Sequence, residues 1–517
     1  MIRFSLWRMV AVTLTVALLG YVVFSSRPLA PPKVTKVMKV RTSPVSKPAD
    51  KAIFPGGAPP AAAILISGEQ IGYLEPCGCT KGQQGGLGRR YDLIEKLRAQ
   101  NWPVALIDLG SFSEPPGARG GPVESKVKFS ISLRAFTAMN YDAVALSADD
   151  LRQGIGETLG QYVNLTDRPK IVAANVVPAQ GFEAAIKPSV RTTAGPVKVG
   201  ITAVLDPAAY KALNDQDADL LTVKDPTEVV PTALADLEKD TDVQVLMVQA
   251  PPEKAKELAR AFPGFDLVIA TSETADPDAE PVSLNDGKTL LIQVGQKGKH
   301  AGLVGVFPDQ IPKFRYKRVD LDAKYEQAEP MRKLIDEEYQ NELKELKVVE
   351  MYPKHGNVAG APGATYIGAA TCKTCHPNTY ARWASTKHSV AYDDVQKKSH
   401  QFDADCISCH TTGFEYESGF LSAELTPNLK GNQCENCHGP GSKHAEEPKN
   451  ADYRKFMAQS VANPDQNRLC LRCHDLDNSP DFKFEMYYPK IIHMKMDKYD
   501  DPKVLEGTKP KAGEPSR

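Results

Sequence analysis

Four short stretches carry chemistry in this chain: CKTCH, CISCH, CENCH and CLRCH. They set Cys372 and Cys375 before His376, Cys406 and Cys409 before His410, Cys434 and Cys437 before His438, and Cys470 and Cys473 before His474. In C-x-x-C-H the two thiols form thioether bonds to the vinyl groups of a haem, and the adjacent imidazole supplies an axial nitrogen to its iron. One copy alone leaves a zinc-ligand pair or a disulfide open. A zinc ribbon needs paired thiols but has no use for a histidine directly after each pair. Four copies between Cys372 and His474 therefore predict four covalently attached c-type haems, which use eight of the ten cysteines.

Each haem iron has a second axial position. An imidazole there gives a low-spin iron that moves an electron with little rearrangement, whereas an open position binds a small ligand. Besides the four motif histidines the chain holds His300, His355, His388, His400, His444 and His493, so all ten lie at or after position 300. Gly439, Pro440 and Gly441 bar a continuous helix between His438 and His444. Crowding around one macrocycle then sends these two imidazoles to different irons. His376 and His388, if on one helix, stand about 18 Å apart and also serve different irons. Met494 and Met496 are alternative ligands near the C-terminus, and Tyr366, Tyr380 and Trp383 are expected to pack on porphyrin faces.

What must position these groups is a chain of 517 residues, long enough for several domains. Its net charge of -1 leaves no basic footprint for nucleic acid. Residues 1–27 begin with Arg3 and Arg8 around an uncharged apolar run from Met9 to Phe24, which reads as a cleaved export signal or an uncleaved anchor in the cytoplasmic membrane. Either places the remainder in the periplasm or on the outer face of that membrane, where c-type haems are attached. Residues 28–60, rich in Pro, Lys, Ser and Ala, read as a tether.

From 61 to 322 apolar runs such as AAAILIS, VALIDLG, AVAL, KIVAAN, VKVGITAV, VQVLMV, DLVIA and TLLIQVG alternate with amphipathic stretches such as RRYDLIEKLRAQ, SKVKFSISLRAFTAMN and EKAKELARAF. That alternation predicts α/β architecture, sheets flanked by helices. The order of elements resembles the calcineurin-like metallophosphatase domain of secreted nucleotidases. The motifs that carry the resemblance are altered. ISGEQIG has Glu69 and Ile71 where the family has Asp and His, and Gly110-Ser111 replaces Gly-Asp. SADD has Ala148 and Asp149 for Asn and His, and ATSET has Ser272 and Thr274 for two His; Gly85, Gly86 and GFDLVIA still match. A dinuclear site that activates water needs several imidazoles and a bridging carboxylate. With no histidine before His300, Glu69, Asp149 and Asp150 offer only a weak site for a hard cation, and the resemblance implies a fold that has lost its hydrolase chemistry.

Cys77 and Cys79, in YLEPCGCTKGQQGGLGRR, are the two cysteines outside the haem motifs; a disulfide, a soft-metal pair and a redox pair all remain open. The neighbouring glycines, with Arg89 and Arg90, form a weak anion-binding signal. Residues 323–360 read as a solvated, highly charged helix followed by the linker GNVAGAPGA.

Within the last region, 361–517, a second resemblance appears. YIGAATCKTCH, RWASTKHSVAY, DCISCHTTGF, GNQCENCHGPGSKH and LCLRCH are similar to the tetrahaem cytochrome c-554 family. The resemblance implies a mainly α and irregular multihaem domain, with three bis-histidine haems and one, the second along the chain, five-coordinate. The residues matching the family's distal ligands are His388, His444 and His493. By elimination the haem at Cys406, Cys409 and His410 is the open one, unless His400 ligates it. The expected function is an exported cytochrome passing electrons to and from redox partner proteins, with the α/β domain as a binding scaffold. The alternatives are a redox enzyme acting on a small nitrogen or oxygen species, and a haem-linked phosphoester hydrolase.

Overall fold

The computed structural model describes residues 53–54, 58–76, 82–165, 167–459, 468–493 and 496–497. The apolar N-terminal run, most of the tether, Cys77, Cys79 and Met494 lie outside the described residues. Among the described residues no helix is long and apolar enough to cross a membrane.

Strands β1 (Ala62–Ser67), β2 (Val104–Asp108), β3 (Ala143–Ala145), β4 (Lys170–Val172), β13 (His300–Val306) and β14 (Phe314–Asp320) form a six-stranded sheet in the order β14-β13-β1-β2-β3-β4. β1 to β4 run parallel, and β13 and β14 extend the sheet antiparallel. A second six-stranded sheet has the order β11-β12-β10-β9-β7-β6, built from β6 (Ser189–Ala194), β7 (Val197–Leu205), β9 (Val243–Gln249), β10 (Leu267–Ala270), β11 (Val282–Leu284) and β12 (Thr289–Gln293). A small pair, β5 (Val176–Pro178) and β8 (Leu221–Val223), stands apart.

The two large sheets pack face to face. Ile64, Ile66, Ala105 and Ile107 of the first meet Val199, Ile201, Val245, Met247 and Ile269 of the second in one buried cluster. On the outer face of the first sheet, Leu65, Leu106 and Val144 pack under α1 (Leu87–Ala99) and α2 (Gly121–Met139). On the outer face of the second, Leu246, Val248 and Val268 pack under helices Pro226–Leu237 and Pro252–Ala261. Strands buried on both faces read as continuous apolar runs, which is why β1, β2, β3, β7, β9, β10 and β12 were legible in the sequence; β13, HAGLVGV, is equally buried, but two glycines break its apolar run and it was not. β6 and β14 were not: SVRTTA and FRYKRVD are edge strands that alternate polar residues with only a few buried ones.

The charged segment after β14 departs from the solvated helix expected of it. Glu329–Arg332 and Gln340–Glu345 are α-helical and Lys333–Tyr339 between them makes π-helical turns. Met331, Leu334, Ile335, Tyr339 and Leu343 recur every three or four residues and are buried in the core beneath α2. The charges cover only the outer face.

The C-terminal region is a run of short helices, from Ala369–Cys372 to Phe484–Ile491, none longer than the nine residues of Ala451–Gln459. It shares one compact unit with the α/β region. Tyr392, Val395, Ala404, Ile407, Phe414 and Phe420 belong to the same apolar cluster as α1 and α2. Beyond Leu429 no described apolar side chain is fully buried.

The junction is also polar. Lys128, buried on α2, places its Nζ 2.7 Å from Glu114 Oε1, 2.9 Å from Glu124 Oε1 and 3.4 Å from Asp405 Oδ2. Glu124 Oε2 in turn accepts the Ala404 N–H at 2.7 Å, and Tyr339 Oη donates to Asp403 Oδ2 at 3.1 Å. The helix Ala404–His410, which carries the second C-x-x-C-H, is thereby held to α2. Arg119 also reaches Asp405, Nε to Oδ1 at 3.4 Å, but removing the central ammonium from the buried Glu114 and Glu124 leaves uncompensated charge. Lys128→Met is expected to lower stability by about 3–5 kcal/mol, read from denaturant unfolding of the full chain; a loss within error of zero would refute the clamp.

Candidate functional site

Each C-x-x-C-H motif is wound so that the histidine follows the first cysteine by one helical turn. His376 N–H donates to Cys372 O at 2.9 Å, and His474 N–H to Cys470 O at 2.9 Å. Cys406 to His410 and Cys434 to His438 lie inside helices. The i, i+4 spacing brings a thiol and the imidazole to one side of the turn. Asp403 caps the second of these helices by accepting Cys406 N–H at 3.0 Å, and Gln433 and Asn436 form a capping box on the third.

The structure brings the histidines together in pairs. Ring centroids of His376 and His444 are 6.4 Å apart, those of His388 and His474 6.1 Å, and those of His438 and His493 5.9 Å. A metal–imidazole bond of about 2 Å, with the ring centre about 1.1 Å beyond the nitrogen, puts two axial rings about 6 Å apart. The donor set therefore fits three bis-histidine irons. His376 and His388 fall in different pairs, as do His438 and His444. The first two are not on one helix: Pro377–Ala384 ends before a 3-10 turn at Lys387–Val390.

Second contacts orient the rings. His438 Nδ1 bonds Met457 O at 2.9 Å, His474 Nδ1 bonds Ser479 Oγ at 3.0 Å, and His493 Nδ1 bonds Ile491 O at 3.0 Å. Anchoring Nδ1 in this way leaves Nε2 as the metal-binding nitrogen. His444 is different: its Nδ1 is a buried atom with no hydrogen-bond partner, the mark of a nitrogen meant for a metal. Burial lowers the pKa of His388, His444 and His474, favouring the neutral imidazole that a metal requires.

His410 stands outside these pairs among the described residues, with Nδ1 anchored 2.6 Å from Ala391 O. His400, considered above as a distal ligand, instead lies with Nε2 3.6 Å from Glu75 Oε1 and 3.5 Å from Asp336 Oδ1. His300 is held between Asp276 and Asp320, and His355 packs on Tyr416. Met496 is exposed. Trp383 stacks at a tilt on Tyr380 and donates its Nε1–H to Asn432 O at 2.9 Å.

The cysteines interact across motifs. The free thiols of Cys372 and Cys434, and those of Cys409 and Cys473, lie within hydrogen-bond reach of each other, and Cys437 lies close to Cys470. The attachment points thus run first, third, fourth, second. The sequence did not single out the side chains that hold this order. Glu435, the E of CENCH, accepts from Ile367 N–H at 3.0 Å, Gly368 N–H at 2.7 Å and Gly441 N–H at 2.7 Å. It ties the first motif to the turn after the third. Arg119, from the α/β region, reaches Cys409 Sγ at 3.3 Å, Asp475 Oδ2 at 2.7 Å and Arg472 O at 3.1 Å. Nothing in a lone arginine on a distant loop could have pointed to it.

The pocket at the ends of β1, β2 and β9 gathers Glu69, Ser111, Asp149, Gln249 and Ser272. Glu69 Oε2 accepts Ser272 N–H at 2.7 Å, Ser111 Oγ donates to Asp149 Oδ2 at 3.2 Å, and Gln249 donates to Leu109 O. Asp150 is spent on the N–H groups of Ser111, Phe112 and Ser113 at 3.2, 2.7 and 2.9 Å. Arg90 pairs with Asp108 beneath them at 3.6 Å. Glu69, Ile71 and Ser111 have φ of 47°, 50° and 62°, left-handed backbone that is strained for a β-branched residue such as Ile71. Such strain is characteristic of functional loops. Burial, chiefly, pushes the Glu69 carboxyl up to about 8 and that of Asp150 to about 6.

Residues 371–439 match the family model described as cytochrome c554 and c-prime. That span holds the first three C-x-x-C-H motifs and His388. The chain is 30% identical over 96 residues to cytochrome c-554 of Nitrosomonas europaea, an alignment covering 16% of this chain and 41% of that protein. The match therefore spans less than half the length of this relative. A cytochrome c segment implies covalently bound haem c, and the paired histidines and thiols fit it.

Among solved structures, a 5'-nucleotidase precursor from Thermus thermophilus superposes with TM-score 0.47 and 17% identity, covering 57% of this chain and 60% of that one. The calcineurin-like phosphoesterase YfkN from Bacillus subtilis gives TM-score 0.44 and 19% identity over 55% of this chain and 98% of that one. At such values the likeness is one of sheets and helices and carries no activity with it. The pair of metal ions typical of calcineurin-like enzymes does not fit the residues present. The pocket has no imidazole, and its oxygens are engaged in hydrogen bonds within the chain.

Glu69 gives this pocket a measurable signature. Its carboxyl rises from 4.5 to about 8 on folding, so its contribution is full below pH 4.5 and is lost as pH climbs to about 8. Glu69→Gln removes that loss. Unfolding measured at pH 5 and pH 8 is expected to show the variant gaining on the native chain at the higher pH; an unchanged difference would place the ionised carboxylate in the folded state.

Proposed function

We propose that this chain is an exported electron-transfer protein with four c-type haems, one of them with an open axial position, and an α/β domain that serves as a binding scaffold without hydrolase chemistry. The three imidazole pairs near 6 Å, with His410 left outside them, carry the reading. When bound, haem iron supplies one-electron chemistry, at a potential set by axial ligand, burial and neighbouring charge.

The chain's own residues do the rest. His444 caps the haem bound by His376, His388 that bound by His474, and His493 that bound by His438. The order of thiol contacts lines the attachment sites up from the first motif through the third and fourth to the second. Electrons then enter or leave through partner proteins at the ends of that line, with His410 at one end. The membrane-directed N-terminal sequence and the haem motifs agree on a periplasmic location, because haem is attached to c-type cytochromes there. The hydrogen-bonded pocket around Glu69 supports loss of phosphoester hydrolysis.

A second reading rests on His410 alone. An iron bound there by one imidazole has room for a small nitrogen or oxygen species, which makes this end of the line the place for any redox catalysis. Addition of nitric oxide to the reduced protein distinguishes the two coordination types, since it attacks the open iron first.

Spin-resonance spectra of the oxidised, haem-loaded protein are expected to contain one high-spin ferric centre among four. His388→Ala, His444→Ala and His493→Ala should each add a second, and His400→Ala should add none. Four low-spin centres in the native protein would overturn the assignment of the open site.

Arg119 holds a positive charge against Cys409 Sγ. Arg119→Gln leaves Asp405 and Asp475 beside that haem and is expected to lower its reduction potential by on the order of tens of millivolts. A redox titration followed at the open haem reads this; a potential that stays put would show that Arg119 is only a strut.

A further inference from the structure

Among the described residues, two groups of three ligand-type side chains lie outside the histidine pairs. Their difference is informative. In the first, Glu114, Glu124 and Asp405 surround the ammonium of Lys128, which supplies the positive charge itself. In the second, Glu75, Asp336 and His400 offer two carboxylate oxygens and one ring nitrogen, all within 4.8 Å of one another.

We propose that Glu75, Asp336 and His400 form a binding site for one divalent transition cation of the zinc class, which clamps the α/β domain to the segment leading into the second haem motif. The spacing argues for it. His400 Nε2 stands 3.6 Å from Glu75 Oε1 and 3.5 Å from Asp336 Oδ1. The Glu75 contact is too long for a hydrogen bond to a ring nitrogen, and the Asp336 contact is at the outer limit of a weak one. With metal–ligand bonds of about 2.0–2.1 Å, donors on a tetrahedron lie about 3.4 Å apart, so a small contraction closes the set.

The backbone argues for it independently. Asp336 sits in the π-helical turns Lys333–Tyr339, although KLIDEEY contains good helix formers and no Pro or Gly. Such turns are rare and gather at functional sites, where they redirect a side chain. Glu75 comes from the loop after β1 and Asp336 from the connecting helix. His400 comes from the turn six residues before Cys406. Three separate segments thus converge on one point.

The surroundings choose the class of cation. The three residues line an open cleft of about 570 Å³, with room for water to complete the coordination. Arg89, Arg332, Lys397 and Lys398 line the same cleft, and Arg332 Nε lies 3.7 Å from Asp336 Oδ2, leaving Oδ1 toward His400. Two carboxylates and an imidazole leave a hard cation such as calcium or magnesium short of the six or more oxygens it takes. An imidazole with two carboxylates suits zinc and its neighbours in the first transition row.

The experiment uses the full, haem-loaded chain. After chelator treatment it is dialysed against Zn(II), and zinc and iron are counted by elemental analysis. One zinc per chain is expected beside the haem iron. His400→Gln and Glu75→Gln should each weaken retention at least tenfold while leaving iron content and haem spectra unchanged. Zinc should raise the unfolding temperature of the native chain and not that of either variant. A double Cys77→Ser, Cys79→Ser variant should hold zinc as the native chain does. No zinc on the native chain, equal retention by His400→Gln and Glu75→Gln, or loss of zinc in the double cysteine variant would each overturn the three-ligand site.

Discussion

A helix of two turns that must present two thiols and an imidazole to a flat cofactor has no side left for a broad apolar face. That constraint shapes the whole C-terminal region. Its helices are short, and beyond Leu429 no described apolar side chain is fully buried. Order has to come from coordination, from the cofactor's own apolar surface and from polar ties. Glu435 illustrates the last: one buried carboxylate accepts backbone N–H groups on both sides of it and fixes the first motif against the third. A carboxylate with several such donors is worth more than a neutral contact, because each bond is charge-assisted.

The α/β region supplies the rigid wall that these short helices lack. α2 passes beneath both, and its buried Glu124 and Lys128 engage the helix of the second motif directly. Arg119, just before α2, reaches two motifs at once. Lys297 and Lys299 meet Asp477 beyond the fourth motif, and Gln83 donates to Asp477 O at 2.9 Å. The region whose fold resembles a hydrolase thus contacts the haem-bearing segments through charge pairs on several loops. Charges placed this close to the C-x-x-C-H motifs would shift the potential of any haem attached there.

The cluster around Glu69 combines strained backbone with side chains that bond to one another. Left-handed φ at Glu69, Ile71 and Ser111 is costly and persists only where the surrounding sheet over-determines it. The side chains have closed on one another instead of on metal. Gln249 donates to Leu109 O, and Ser272 turns its hydroxyl to Thr274 O. The sheets and helices depend on buried apolar faces, so residues at strand ends can vary without changing the fold.

Spacing and periodicity alone determined the four C-x-x-C-H motifs, most central strands and three of the α/β helices, because each is a local property: C-x-x-C-H needs one turn of backbone, and a doubly buried strand is mostly apolar; β13, with two glycines, lacked that signal. Edge strands β6 and β14 escaped notice because half their residues face water. The charged segment at 329–345 was misread because its buried stripe is narrow and interrupted. Only the tertiary structure decided which histidine faces which: His376 with His444, His388 with His474, His438 with His493, and His400 with two carboxylates. The imidazole pairs alone join residues up to 86 positions apart, as His388 and His474 are. No local pattern encodes them, since they depend on how the loops between the motifs fold back on each other and on the wall behind.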